Sequence, residues 1–124
     1  MDLYRQNILD HYKHPRHWGK LSGREVIRHQ ETNASCGDMI EIGVVINHGQ
    51  IKQIKFSGAG CAISIAGTSL LVEAVQDKSI KQIKQMTDGD VEKLFGILIN
   101  PARKKCATLG LVTLKKIIKQ YENH

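Results

Sequence analysis

Residues 39–75 read MIEIGVVI, NHGQ, IKQIKF, SGAG and CAISIAGTSLLVEAV, and a change of period inside this stretch decides the fold. In 39–46, Ile40, Ile42, Val44 and Ile46 alternate with Met39, Glu41, Gly43 and Val45, the pattern of a half-buried strand. Asn47 and Gly49 tolerate positive φ, so 47–50 is a hairpin turn. Residues 51–56 pair back, with Ile54 and Phe56 on one face. After 57–60 the period becomes helical. Ile63, Ala66, Leu70 and Ala74 belong to a strongly apolar helix over 62–75. An antiparallel meander therefore runs straight into a buried helix.

Upstream, 25–31 is a weaker candidate for a third strand. Residues 3–13 predict a helix, with Leu3, Ile8, Leu9 and Tyr12 near one face and Asp2 as N-cap. Pro15 and Gly19 end it. Downstream, Ser79 and Thr87 read as N-caps of short helices over 80–86 and 88–98. Asn100-Pro101 breaks the chain. A last helix over 104–121 buries the stripe Ala107, Leu111, Leu114, Ile118 and Tyr121. The predicted fold is α+β: a small antiparallel sheet of about three strands, with helices packed on one face, in a single domain over 1–124.

Composition excludes several classes. Hydrophobic residues make up 41% and charged residues 24%, which disfavours disorder. No apolar run approaches the roughly 18–20 residues of a membrane span. The opening MDLYRQNILDHYKHPRHWGK has no apolar signal-peptide core. The chain reads as soluble and cytoplasmic, with no membrane partner. Eighteen basic against twelve acidic residues give +6, which admits nucleic acid or an acidic protein as partner. Aromatics at 5% offer few stacking platforms and make nucleic acid a poor fit.

Three cysteines, Cys36, Cys61 and Cys106, are too few and too far apart for a disulfide framework or a zinc ribbon. All three fall at junctions between loop and element. Cys61 and Cys106 fall at predicted helix starts, where the macrodipole favours thiolate. Asp38 follows Cys36 across Gly37, so both side chains can reach one point. Three thiolates and a carboxylate form a four-coordinate set suited to Zn²⁺, Fe²⁺ or an iron–sulfur cluster. On residue type alone, a buried core thiol fits each cysteine equally well.

The motifs add a resemblance. N-A-S-C-G-D at 33–38, F-S-G-A-G-C-A-I-S at 56–64 and R-K-K-C-A-T-L at 103–109 resemble the three cysteine motifs of the IscU/SufU/NifU N-terminal family. Y-R-Q-N-I-L-D-H-Y-K-H-P-R-H-W-G at 4–19 resembles that family's opening segment. The resemblance implies cysteines gathered at one exposed end of an α+β fold. It implies a role in iron–sulfur cluster assembly, with Cys36, Asp38, Cys61 and Cys106 as ligands of zinc or of a transient [2Fe-2S] cluster. It also implies a cysteine desulfurase as sulfur donor and apo iron–sulfur proteins as acceptors. Cys36, flanked by small Ser35 and Gly37, is the expected sulfur acceptor. The third motif is similar to the zinc-binding, sulfur-relaying SufU type. The 45-residue spacing from Cys61 to Cys106 is similar to the IscU scaffold type. Lys105 stands where IscU-type chains carry histidine, and a Leu-Pro-Pro-Val-Lys chaperone grip is absent.

Two other classes fit the sequence less well. A cysteine-nucleophile enzyme finds no histidine in any cysteine motif. A small basic nucleic-acid binder rests on charge alone. His11, His14 and His17 recur at intervals of three but straddle Pro15, which argues against a metal stripe. His29 and His48 read as exposed strand and turn residues, and His124 as a frayed terminus. Gly58-Ala59-Gly60 lacks a nucleotide-binding pattern and is expected to let the chain approach the cysteines closely. Arg103 or Lys105 is expected near the thiols, lowering their pKa. Lys115, Lys116 and Lys119, with Arg103 nearby, offer a landing surface for an acidic partner.

Overall fold

A computed structural model describes residues 3–123. The element order is α1 (Leu3–Lys13), β1 (Ile27–Asn33), β2 (Asp38–Asn47), β3 (Gln50–Ala59), α2 (Ala62–Val75), α3 (Ile80–Lys84), α4 (Asp88–Phe95), a 3₁₀ turn (Pro101–Arg103) and α5 (Lys104–Glu122). The N-cap role expected of Asp2 and the terminal His124 lie outside the described residues.

The sheet has the order β1-β2-β3, antiparallel throughout. Ile42 pairs with Phe56 and Val44 with Ile54, and all four are buried on the face that meets the helices. The turn between β2 and β3 differs from the expected one. His48 (φ 53°) and Gly49 (φ 71°) take the positive dihedrals, while Asn47 stays in the strand, paired with Gln50. Two positive values in succession match the right-handed twist of a two-residue hairpin.

The outer edge of β3 is occupied at both ends. The Phe56 N–H donates to His17 O and the Gly19 N–H to Phe56 O, each at 2.9 Å. Trp18, between them, meets Phe56 edge to face at 5.3 Å. At the other end the Ile51 N–H donates to Lys78 O, and the Asp77 N–H to Ile51 O.

Helix α2 is the centre of the helical layer. Every residue from Ser64 to Val72 is buried, because α1, α4, α5 and the sheet surround it. It crosses α5 closely. A Cβ on Gly67 would stand 2.8 Å from Ala107 O, and one on Gly110 would stand 2.7 Å from Thr68 Oγ1. Bare glycine at both positions permits that approach.

Several expected boundaries shift. Strand β1 starts at 27 rather than 25. Helix α3 stops at Lys84, after a capping box between Ser79 and Gln82. Helix α4 stops at Phe95, because Gly96 takes a left-handed φ of 74° that closes it. In α5, Ala107, Leu111, Leu114 and Ile118 are buried, but Tyr121 is 36% exposed past the end of the core.

The expected inner face of α1 is corrected. Leu3, Leu9 and Tyr12 are exposed, while Ile8 and His11 are buried. The reason is a polar contact. His11 Nδ1 lies 2.7 Å from Ser69 Oγ on α2, and the same hydroxyl accepts the Arg16 N–H at 2.8 Å. A buried histidine needs such a partner, and satisfying it sets the rotation of α1.

Candidate functional site

The hairpin between β1 and β2 turns through residues 34–37 and is closed by the pair Asn33–Asp38. Gly37 at φ 70° makes the turn possible. It puts Cys36 on an exposed tip and Asp38 at the start of β2, where the carboxylate is 1% exposed. Such a buried carboxylate needs donors. Asp38 Oδ1 accepts the Cys61 N–H at 2.9 Å, and Oδ2 lies 4.0 Å from Cys61 Sγ. A Cβ on Gly60 would stand 2.3 Å from Asp38 Oδ1, so this glycine brings its loop up to the site, as expected.

Cys61 is the N-cap residue of α2 and Cys106 the third residue of α5, both at helix starts. Cys106 is fully buried, with its Sγ 3.2 Å from Cys36 Sγ. Ligand atoms of Cys36, Asp38 and Cys106 all lie within 4.8 Å of one another. Ligand atoms bound to one tetrahedral zinc sit about 3.8 Å apart, so this trio has the right scale. Cys61 stands on the Asp38 side, outside that mutually close group.

The electrostatics correct one expectation. Burial, with hydrogen bonds that the thiol donates toward Cys36, Asp38 and Cys61, pushes the Cys106 thiol well above the usual range. At this position desolvation outweighs the helix start. Arg103 is the basic residue that joins the thiols. Its exposed guanidinium faces Cys61, hydrogen-bonds Cys106 and lies near Cys36, and their charge raises its pKa. Lys105 instead lines a groove with Glu31, Asn33 and Val112.

One neighbour was not foreseen. Asn33 Nδ2 lies 3.7 Å from Cys106 Sγ. The signal was available, since Asn33 opens the first cysteine motif and faces Asp38 across the hairpin.

Among the described residues the histidines do not assemble. His11 is buried on Ser69, His14 is exposed and His17 sits at φ 57°. His48 is exposed in its turn as expected. His29 is half-buried rather than exposed, with Nε2 2.8 Å from Glu31 Oε1. Of Lys115, Lys116 and Lys119, two are engaged. Lys116 pairs with Glu31 at 2.7 Å, Lys115 reaches Met86 O, and Lys119 remains exposed. Of the residues expected to form a landing surface, Lys115 and Lys116 are thus engaged within the chain. Among the described residues no helix is long and apolar enough to cross a membrane.

Fold and site define a class: a small α+β protein that gathers thiols and one buried carboxylate at an end of its sheet. The chain belongs to the NifU-like N-terminal domain family, whose profile matches residues 3–124. It is 36% identical to the zinc-dependent sulfurtransferase SufU of Bacillus subtilis, over 97% of this chain and 92% of that one. It is 35% identical to the iron-sulfur cluster assembly scaffold protein IscU of Streptococcus pyogenes, over 98% and 86%. Among solved structures it matches a SUF-system iron-sulfur cluster assembly scaffold from Fervidobacterium islandicum. The TM-score is 0.71 at 25% identity, covering 90% of this chain and 93% of that one. A NifU-like N-terminal protein of Brucella abortus, 16% identical, shares the fold with a TM-score of 0.80, over 97% and 94%.

Proposed function

We propose that this chain, acting as one domain over 1–124, takes sulfur from a cysteine desulfurase and passes it toward iron–sulfur cluster assembly. Cys36, Asp38, Cys61 and Cys106 hold zinc or a transient [2Fe-2S] cluster, and apo iron–sulfur proteins receive the product in the cytoplasm. The observation that carries this reading is the approach of the Cys36 and Cys106 sulfurs and the Asp38 carboxylate within 4.8 Å. Cys61 completes the set from the Asp38 side. Relatives named for zinc-dependent sulfur transfer and for cluster scaffolding support it. Thiolates supply the affinity. The carboxylate, a harder ligand, is the one that exchanges.

Cys36 is the sulfur acceptor in this reading, because it is the exposed thiol of the three. A metal bound beside it keeps it deprotonated, and thiolate is the form that attacks a persulfide. The test is incubation with purified desulfurase and cysteine, followed by peptide mass spectrometry. Extra sulfur is expected on Cys36, with one metal ion or cluster per untreated chain. Sulfur spread equally over three cysteines overturns the dedicated acceptor. A chain that binds neither metal nor sulfur overturns the function.

A further inference from the structure

The three thiols are not equivalent. Cys36 is exposed on the 34–37 turn, and Cys106 lies fully buried beneath it, with 3.2 Å between their sulfurs. Cys61 is set apart, beside Asp38. An exposed thiol in contact with a buried one is the arrangement of an acceptor with its resolving partner. We propose that Cys36 and Cys106 act as a dithiol that reduces sulfur delivered to Cys36 and releases it as sulfide. The inference rests on the sulfur-acceptor reading and adds to it a source of electrons.

The step balances within the site. Cys36 carrying one extra sulfur is a persulfide, Cys36 Sγ–SH. Cys106 Sγ attacks Cys36 Sγ, and a Cys36–Cys106 disulfide bond forms. The bond from Cys36 Sγ to the outer sulfur breaks, and that sulfur leaves with the electron pair. The Cys106 proton ends on it, giving hydrogen sulfide. The outer sulfur is reduced to sulfide, and the two cysteine sulfurs are oxidised to the disulfide. A separation of 3.2 Å lies in the range of a near-attack contact, so no large backbone movement is required. Cys106 must give up its proton to attack, and Asn33 Nδ2, 3.7 Å from Cys106 Sγ, donates to the thiolate so formed. Arg103, exposed at the rim and facing all three thiols, meets the departing hydrosulfide. An external thiol then reopens the disulfide for another round.

The test uses the full chain, anaerobic, with chelator present and no small thiol. Inorganic polysulfide loads the sulfur, and excess is removed by desalting. Intact mass, non-reducing peptide mapping and released sulfide are followed together. The expected result is decay of the species with one added sulfur into one that has lost two hydrogens. One sulfide appears per disulfide, and peptides containing Cys36 and Cys106 are joined. The Cys106→Ser chain keeps its added sulfur and releases sulfide about tenfold more slowly or not at all. The wild-type stoichiometry is decisive even where that variant folds poorly. A wild-type chain that keeps its added sulfur, or joins Cys36 to Cys61, overturns the inference and leaves the acceptor reading standing. A chain that takes up no sulfur overturns both.

Discussion

At one end of the sheet, Gly49 at φ 71° closes the two-residue turn between β2 and β3. At the other, Gly37 at φ 70° closes the turn that carries Cys36. The backbone device is the same, and neither position has any atom within 4 Å of where a Cβ would stand. Their surroundings differ. The distal turn is tied down, with Gly49 O accepting the Ile80 N–H at 2.9 Å. The proximal turn lies exposed, and its Cys36 must meet Cys106 across 70 residues of sequence. The same left-handed glycine turn can therefore have a purely structural result at one end and a chemical one at the other.

The largest effect that sharpens this contrast is loss of a thiol. Cys36→Ser, Cys61→Ser and Cys106→Ser are each expected to weaken zinc binding by more than about 100-fold, the upper end of what loss of an outer-shell partner costs. Competition with a chromophoric chelator measures it. Full retention in all three variants would break the assignment of the cysteine end. Asp38→Ala comes next. It is expected to hold a cluster roughly tenfold longer and to bind zinc less tightly. Asp38→Asn is the control that still accepts the Cys61 N–H. Transfer to an apo acceptor, followed by absorbance, reads the difference.

The comparison itself is tested by Gly37→Ala and Gly49→Ala. Each is expected to lower stability by about 1–2 kcal/mol, since a Cβ is disfavoured in the left-handed region. Only Gly37→Ala should lower metal affinity as well. Equal affinities in the two variants would show that the proximal turn tolerates displacement of Cys36.

The smallest effect lies away from both turns. Burial, with Arg16 beside it, holds the His11 imidazole below its ordinary value of 6.5, and Glu73 opposes this only in part. The unfolded chain then binds the proton more readily. Stability is expected to fall as pH drops below about 6.5 and to level off below the folded value. Urea midpoints measured between pH 5 and 7.5 check it, and His11→Gln should flatten the slope.

Strands β2 and β3 and helix α2 were legible because their side chains obey one period over many residues. Strand β1 was faint because its helix-facing positions are Ile27, His29, Glu31 and Asn33, mostly polar. They are satisfied by α5, where Lys116 meets Glu31 and Gln120 lies 3.4 Å from His29. No local pattern announces a strand whose partners lie 85 residues away. The same holds for α1, whose docking depends on one hydroxyl of α2. At the site, Asp38 beside Cys36 was readable across Gly37, because adjacency is local. The contact of Cys36 with Cys106 is tertiary and entered only through the resemblance.

The contacts along the outside of β3 bear on how copies of this chain meet. Unpaired strand edges are templates on which further strands add. Residues 17–19 and 77–79 occupy the two ends of the β3 edge, so an incoming strand finds no continuous row of free donors there. Strand β1 forms the other edge of the sheet. The short strap around Trp18 and the 77–79 segment thus disfavour strand-to-strand growth along β3.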